Sequence, residues 1–65
     1  MAALVSDALE ELAPEYRAAF VLRAFHDLSH AEIAESLGVE VGTVKSRIAR
    51  ARSRLKAALA EVYDD

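Results

Sequence analysis

Four stretches of the chain place apolar residues every three or four positions, and proline, serine or glycine marks the breaks between them. This spacing is typical of amphipathic helices that bury one face. The pattern predicts helices over about residues 3–12, 14–26, 30–37 and 41–62, with a turn over 38–40. We therefore expect a single all-α domain of four helices that spans residues 1–65.

The fourth predicted helix carries the most informative pattern of side chains. Its apolar positions form one stripe, which contains Val44, Ile48, Ala51, Leu55 and either Ala58 or Leu59. At about 100° per residue, four mostly small residues point directly away from this stripe: Ser46, Ala49, Arg50 and Ser53. Basic residues flank that outward strip, with Lys45, Arg52 and Lys56 on one side and Arg47 and Arg54 on the other.

This arrangement suits a helix that lies in the major groove of DNA, which is about 12 Å wide. Small side chains let the helix approach the base edges, while flanking cations meet the phosphates on both walls of the groove. A basic helix can also bind RNA, a lipid surface or an acidic partner, so the strip alone leaves these alternatives open.

Charge is segregated along the chain, which changes the meaning of its net charge of −3. Eight acids and two arginines give residues 1–40 a formal charge of −6, while six bases give residues 41–56 a charge of +6. Three acids give residues 57–65 a charge of −3. Because acidic surface opposes phosphates at long range, we expect weak DNA binding by the chain alone and dependence on a larger assembly.

The residues around the predicted turn indicate a helix-turn-helix motif. Ser29 and Glu32 have the spacing of a capping box at the start of the third helix, and Gly38 suits a left-handed stop at its end. Ala34 is small where two helices must approach closely, and Val44 can fill the angle between them. This combination favours a helix-turn-helix over a generic helical hairpin.

The second predicted helix, which starts at Pro14, is apolar on more sides than a small domain can easily bury. We expect part of it to form a groove, together with the end of the fourth helix, for an apolar helix or hairpin tip of another protein. The predicted partner-binding residues are Tyr16, Phe20, Val21, Leu55, Leu59 and Val62.

Other functional classes find little support. The chain has no cysteine, and a helix break separates His26 from His30, so we predict no metal site and no cofactor. Ser29 and Ser46 have no general base arranged with them, so we predict no catalytic residue and no enzyme. No stretch has the pattern of a signal peptide or the length of a membrane span, so no membrane contact and a cytoplasmic location are expected.

The chain resembles region four, the C-terminal domain, of bacterial extracytoplasmic-function (ECF) sigma factors, a winged-helix-like helix-turn-helix domain. The resemblance covers about residues 4–60. It rests on Leu12-Ala-Pro-Glu-Tyr-Arg17, Leu28-Ser-His-Ala-Glu-Ile-Ala34, Leu37-Gly-Val39, Val41-Gly-Thr-Val-Lys-Ser-Arg-Ile48 and Ala49-Arg-Ala-Arg52. The family's region two has no counterpart here, so the resemblance implies a domain excised from a longer sigma factor.

The resemblance implies recognition of the promoter minus-35 element, in double-stranded DNA, by a domain docked on the flap of the RNA polymerase β subunit. It implies base contacts by Lys45, Ser46, Ala49 and Arg50. It implies phosphate contacts by Gly42, Thr43, Arg47, Arg52 and Arg54. Anti-sigma factors often cover this domain in the family, so an anti-sigma factor is a further expected partner.

Two alternative functions remain open at this point. Output domains of response regulators use a similar Leu-Ser-x-x-Glu-Ile-Ala and Thr-Val-Lys pattern, although usually without the arginine-rich continuation found here. Alternatively, the domain serves chiefly as an interaction module that an anti-sigma factor or another regulator binds.

Overall fold

The computed structural model describes residues 7–63, with side chains as far as residue 60. The regular structure of this part is helical, which confirms the all-α prediction. The helices are α1 over residues 7–10, α2 over Pro14–Ala24, α3 over His30–Leu37 and α4 over Val41–Tyr63. Residues 3–6 of the first predicted helix and the side chain of Val62 lie outside the described residues. None of the described helices is both long and apolar enough to cross a membrane.

Helix α1 ends at residue 10, two residues before the predicted end. The Leu12 N–H already donates to the Leu9 carbonyl, three residues back, and Pro14 prevents continuation because a proline disfavours helical backbone in the residue before it. Ala13 accordingly has an extended conformation, with φ −57° and ψ 145°. Pro14 then starts α2, where its missing N–H and fixed φ cost nothing, and Glu15 places a negative charge in the first turn.

Helix α2 ends at Ala24, so the predicted end near residue 26 is wrong. Asp27 has a left-handed backbone with φ 55°, a conformation that aspartate tolerates better than most residues. The guanidinium of Arg23 donates to the Asp27 carboxylate at 3.3 Å and to the Leu28 carbonyl at 3.4 Å. This turn brings Leu28 back against the core, which a continued helix would not do.

Both ends of α3, the first helix of the helix-turn-helix, have the local structure that the sequence predicts. The Ser29 hydroxyl accepts from the Glu32 backbone N–H at 3.1 Å, and the Glu32 carboxylate accepts from the Ser29 N–H at 2.8 Å. At the other end of α3, Gly38 is left-handed with φ 71°, and its N–H donates to the Ala34 carbonyl. The Val39 N–H donates to the same carbonyl at 3.0 Å, which completes a tight helix stop.

Two apolar clusters hold the helices together, and α4 contributes to both. The first cluster joins α2, α3 and α4 through Ala19, Ile33, Ala34, Val44 and Ile48. The second joins the N-terminal segment to α4 through Ala8, Leu12, Ala51 and Leu55. Every α4 residue in these clusters belongs to the predicted apolar stripe, so the face of α4 that points inward is the expected one.

Candidate functional site

The outward strip of α4 is exposed along its length, since the opposite stripe is buried in both clusters. The four residues predicted to face bases, Lys45, Ser46, Ala49 and Arg50, are all exposed. Because α3 and the glycine turn fix the start of α4, these side chains are presented on a rigid element. Their contact with bases remains a prediction.

The first turn of α4 offers backbone donors to an anion. The Val44 N–H donates to the Glu40 carbonyl at 3.1 Å, so the N–H groups of residues 41–43 precede the first intrahelical bond. Gly42 is exposed and Thr43 is half-buried at this end. Unpaired N–H groups and the positive end of the helix dipole favour a phosphate here, as the phosphate prediction for these two residues requires.

The arginines predicted to hold phosphate lie in different environments. Arg47 is half-buried, whereas Arg52 and Arg54 are exposed. The guanidinium carbon of Arg54 lies 5.7 Å from the centroid of the Tyr16 ring on α2, which is cation–π distance. On the opposite flank, Arg52 lines a pocket between α2 and α4. The two flanks predicted for the basic residues therefore face different neighbours.

That pocket is open, has a volume of about 490 Å³ and is mainly apolar. We call it the α2–α4 pocket; its lining is Phe20, Ala24, Phe25, Arg52, Leu55, Lys56 and Leu59. Phe25, directly after α2, is 61% exposed, an unusual environment for a large apolar side chain. The pocket is therefore a candidate binding surface for an apolar group.

The predicted partner-binding set overlaps this pocket only in part. Phe20, Leu55 and Leu59 line the pocket, although Leu55 is 7% exposed and belongs mostly to the core. Tyr16 and Val21 are half-buried and lie outside the lining, and the side chain of Val62 lies outside the described residues.

The predicted partner-binding set left out four residues of the pocket lining, which are Ala24, Phe25, Arg52 and Lys56. A usable signal was present, because Phe25 follows Phe20 by five residues near the end of the most apolar stretch. Arg52 and Lys56 gave no comparable signal, since both were already assigned to the basic residues that flank the outward strip.

The carboxylate of Glu32, in the first turn of α3, has a lowered pKa. The backbone N–H of Ser29, and then its hydroxyl, hold the pKa of Glu32 below its ordinary value. The ionised form of Glu32 is thus the form that closes the capping box.

Comparison with known proteins places this chain in a family. A profile described as "Sigma-70, region 4" matches residues 2–55. The ECF RNA polymerase sigma factor SigE of Mycolicibacterium smegmatis is 52% identical over 54 residues, which are 83% of this chain and 21% of SigE. The RNA polymerase sigma-E factor of Streptomyces antibioticus is 46% identical over 54 residues, 83% of this chain and 30% of that factor.

The ECF RNA polymerase sigma factor SigL of Mycobacterium tuberculosis is 41% identical over 59 residues, 91% of this chain and 33% of SigL. The chain thus spans from 21% to 33% of the length of these three relatives. These matches confirm the resemblance to ECF sigma factors and favour it over the response-regulator alternative.

Proposed function

This chain belongs to the Sigma-70 region 4 family, and we propose that it recognises the minus-35 element of promoters while docked on the flap of the RNA polymerase β subunit. The family consists of non-catalytic transcription factors, which gives the chain a role in transcription initiation.

One observation carries the DNA part of the proposal: α4 buries its apolar stripe from Val44 to Leu55 and exposes a strip of mostly small residues between two rows of cations. Ser46 and Ala49 are exposed at the centre of this strip, with Lys45 and Arg50 beside them. A helix of this form can approach base edges closely, and Arg50 is long enough for a bidentate contact with guanine. The N–H groups at the start of α4 would hold a phosphate and set the depth of the helix.

The charge of the chain supports recognition within a larger assembly. The formal charge of residues 41–56 is +6, but the whole chain has a net charge of −3. Long-range repulsion by the acidic helices opposes the attraction of α4 for phosphates, so affinity for free DNA is low. Docking on polymerase would hold α4 next to the promoter and raise its effective concentration there.

The α2–α4 pocket supplies a surface for that docking. It lies between two helices that also carry the core, so a partner bound there would contact a rigid surface. We place the apolar contact with the β-flap at Phe20, Phe25 and Leu59, which line the pocket.

The DNA part is tested by selection of bound sequences from a random duplex library at about 50 mM salt, where phosphate contacts are strong. The selection is performed with the chain alone and with the chain added to core polymerase. We expect one short sequence motif in both selections, with stronger enrichment in the presence of polymerase. The absence of any enriched motif would contradict sequence-specific recognition.

The docking part is tested by heteronuclear NMR titration of the chain with a β-flap tip peptide. Shifts should cluster on residues 16–25 and 55–63 and spare Lys45 to Arg50. Shifts on the basic strip instead, or no binding at about 1 mM peptide, equivalent to about −4 kcal/mol, would refute docking at the pocket.

An anti-sigma factor is a second candidate partner, favoured by the exposure of Phe25 at the edge of an open apolar pocket. Such a factor would compete with the β-flap for the same lining residues and so keep the domain from polymerase. Both partners would act on the chain in the bacterial cytoplasm, where transcription takes place.

A further inference from the structure

The α2–α4 pocket combines an apolar floor with a basic rim. The floor comes from Phe20, Ala24, Phe25, Leu55 and Leu59, whereas both polar lining residues, Arg52 and Lys56, are cations. Both cations are exposed, and among the side chains that the structure describes, as far as residue 60, no acid lines the pocket. An occupant must therefore match an apolar surface and two positive charges together.

The two rim cations have a defined spacing. Arg52 and Lys56 are four residues apart on α4, so they lie one helical turn apart on the same side of the helix. Two carboxylates one turn apart on a partner helix have the same spacing. A helix that lays an apolar stripe over Phe25 could therefore place one carboxylate at each cation.

From this juxtaposition we propose that the α2–α4 pocket selects an amphipathic helix with acidic residues beside its apolar stripe. Apolar side chains of that helix enter the pocket against Phe20 and Leu59, and two carboxylates on its flank pair with Arg52 and Lys56. The apolar contact provides most of the affinity, while the ion pairs set the orientation of the helix and reject basic helices.

This inference deepens the proposed function, because it rests on docking at this pocket and adds the charge of the partner. In this proposal Arg52 pairs with a carboxylate of the partner, in addition to the predicted contact with DNA phosphate. A partner that occupies Arg52 removes one cation from the DNA-facing surface.

The test uses three helical peptides of about 18 residues, or five turns. All three share one leucine stripe, and the residues flanking it are Glu, Gln or Lys. Binding to the 65-residue chain is measured by fluorescence anisotropy at low and high salt. Exposed ion pairs contribute about threefold each, so the Glu peptide should bind about tenfold more tightly than the Gln peptide at low salt. The Lys peptide should bind most weakly, and added salt should reduce the differences.

Three variants locate the effect. The double variant Arg52→Gln, Lys56→Gln should bind the Glu and Gln peptides equally. Phe25→Ser should weaken all peptides by a similar factor, and because Phe25 is 61% exposed the fold should persist. A matched control is the double variant Ala31→Glu, Ser36→Glu, which lowers the net charge by the same two units at exposed positions of α3. It should keep the preference for the Glu peptide.

Equal binding of the three peptides, or binding of none, would overturn the inference. A Glu preference that survives Arg52→Gln, Lys56→Gln would do so as well. Sedimentation velocity supplies another overturning outcome, since a dimer that Phe25→Ser abolishes would assign the pocket to a second copy of the chain.

Titration of the isolated β-flap domain, performed in parallel, separates the two proposals. If the flap does not bind but the Glu peptide is preferred through Arg52 and Lys56, docking on the flap is refuted and the selection of acidic helices is supported. If the flap binds at the pocket but the peptides bind equally, docking is supported and the selection of acidic helices is overturned.

Discussion

Arg54 lies over the ring of Tyr16, with its guanidinium carbon 5.7 Å from the ring centroid. This contact links α4 to the first turns of α2 at the surface of the second apolar cluster, against which Tyr16 packs. Arg54 is also one of the residues predicted to hold DNA phosphate. The contact restricts the guanidinium near one place, so a single side chain can stabilise the fold and present a charge to DNA.

The Tyr16–Arg54 pair should be energetically coupled. Tyr16→Leu, Arg54→Ala and the double variant form a double-mutant cycle, and we expect a coupling of about 0.5–1 kcal/mol in the free energy of unfolding, typical of an exposed cation–π contact. Urea denaturation of the four proteins measures this coupling. Strictly additive effects of the two substitutions would contradict a stabilising contact.

Arg50 and Arg54 should have different effects on DNA binding. Arg50→Ala removes a candidate base contact and should weaken binding to the preferred sequence by about 1–3 kcal/mol, with relaxed specificity. Arg54→Ala should weaken all sequences alike and reduce the slope of log K against log salt by about 0.9. Anisotropy titrations across base substitutions and salt concentrations distinguish these effects, and identical behaviour of the two variants would refute the assignment.

The helix that carries the basic strip could be predicted from sequence in detail. Val44, Ile48, Ala51 and Leu55 follow one another at helical spacing, and helix geometry then fixes which residues face outward. The capping box and Gly38 are also local features, since each depends on residues within a few positions of one another. These features do not depend on how the helices cross.

The end of α2 and the pocket could not be predicted in this way. The apolar pattern continues through Phe25, but the left-handed Asp27 ends the helix because Leu28 gains contact with the core. The pocket joins Phe25 to Arg52 and Lys56, which are far apart in sequence. Their proximity depends on the crossing of α2 and α4, and residue spacing within one helix does not specify a crossing.

Alanine at the two glycines should have opposite effects on stability. A Cβ at either Gly38 or Gly42 meets no heavy atom within 4 Å, so sterics with neighbours do not decide the outcome. Gly38 has φ 71°, and Gly38→Ala should lower the free energy of unfolding by about 1–2 kcal/mol through backbone strain. Gly42 is helical, and Gly42→Ala should raise it by up to about 1 kcal/mol.

Thermal and urea unfolding of both variants checks this prediction. Gly38→Val should cost more than Gly38→Ala, because a β-branched residue tolerates positive φ poorly. Gly38→Asn should cost less than either, because asparagine adopts this conformation more readily. Unchanged stability in Gly38→Val would show that the left-handed turn is not required.

Glu32 should make the domain more stable at neutral pH than at acid pH. The Ser29 N–H and hydroxyl lower the pKa of Glu32 in the folded state, below its ordinary value of about 4.3. A lowered folded pKa means that the stabilisation is complete above the unfolded pKa and is lost as the pH falls through the folded pKa.

Glu32→Gln keeps an oxygen acceptor for the Ser29 N–H but does not titrate. The difference in free energy of unfolding between the native chain and Glu32→Gln should therefore be largest near neutral pH and decrease as the pH falls below about 5. Ser29→Ala, which keeps the backbone N–H and so the larger cause, should retain part of this pH dependence. Urea denaturation across this range measures it, and a difference that stays constant with pH would contradict the ionised capping box.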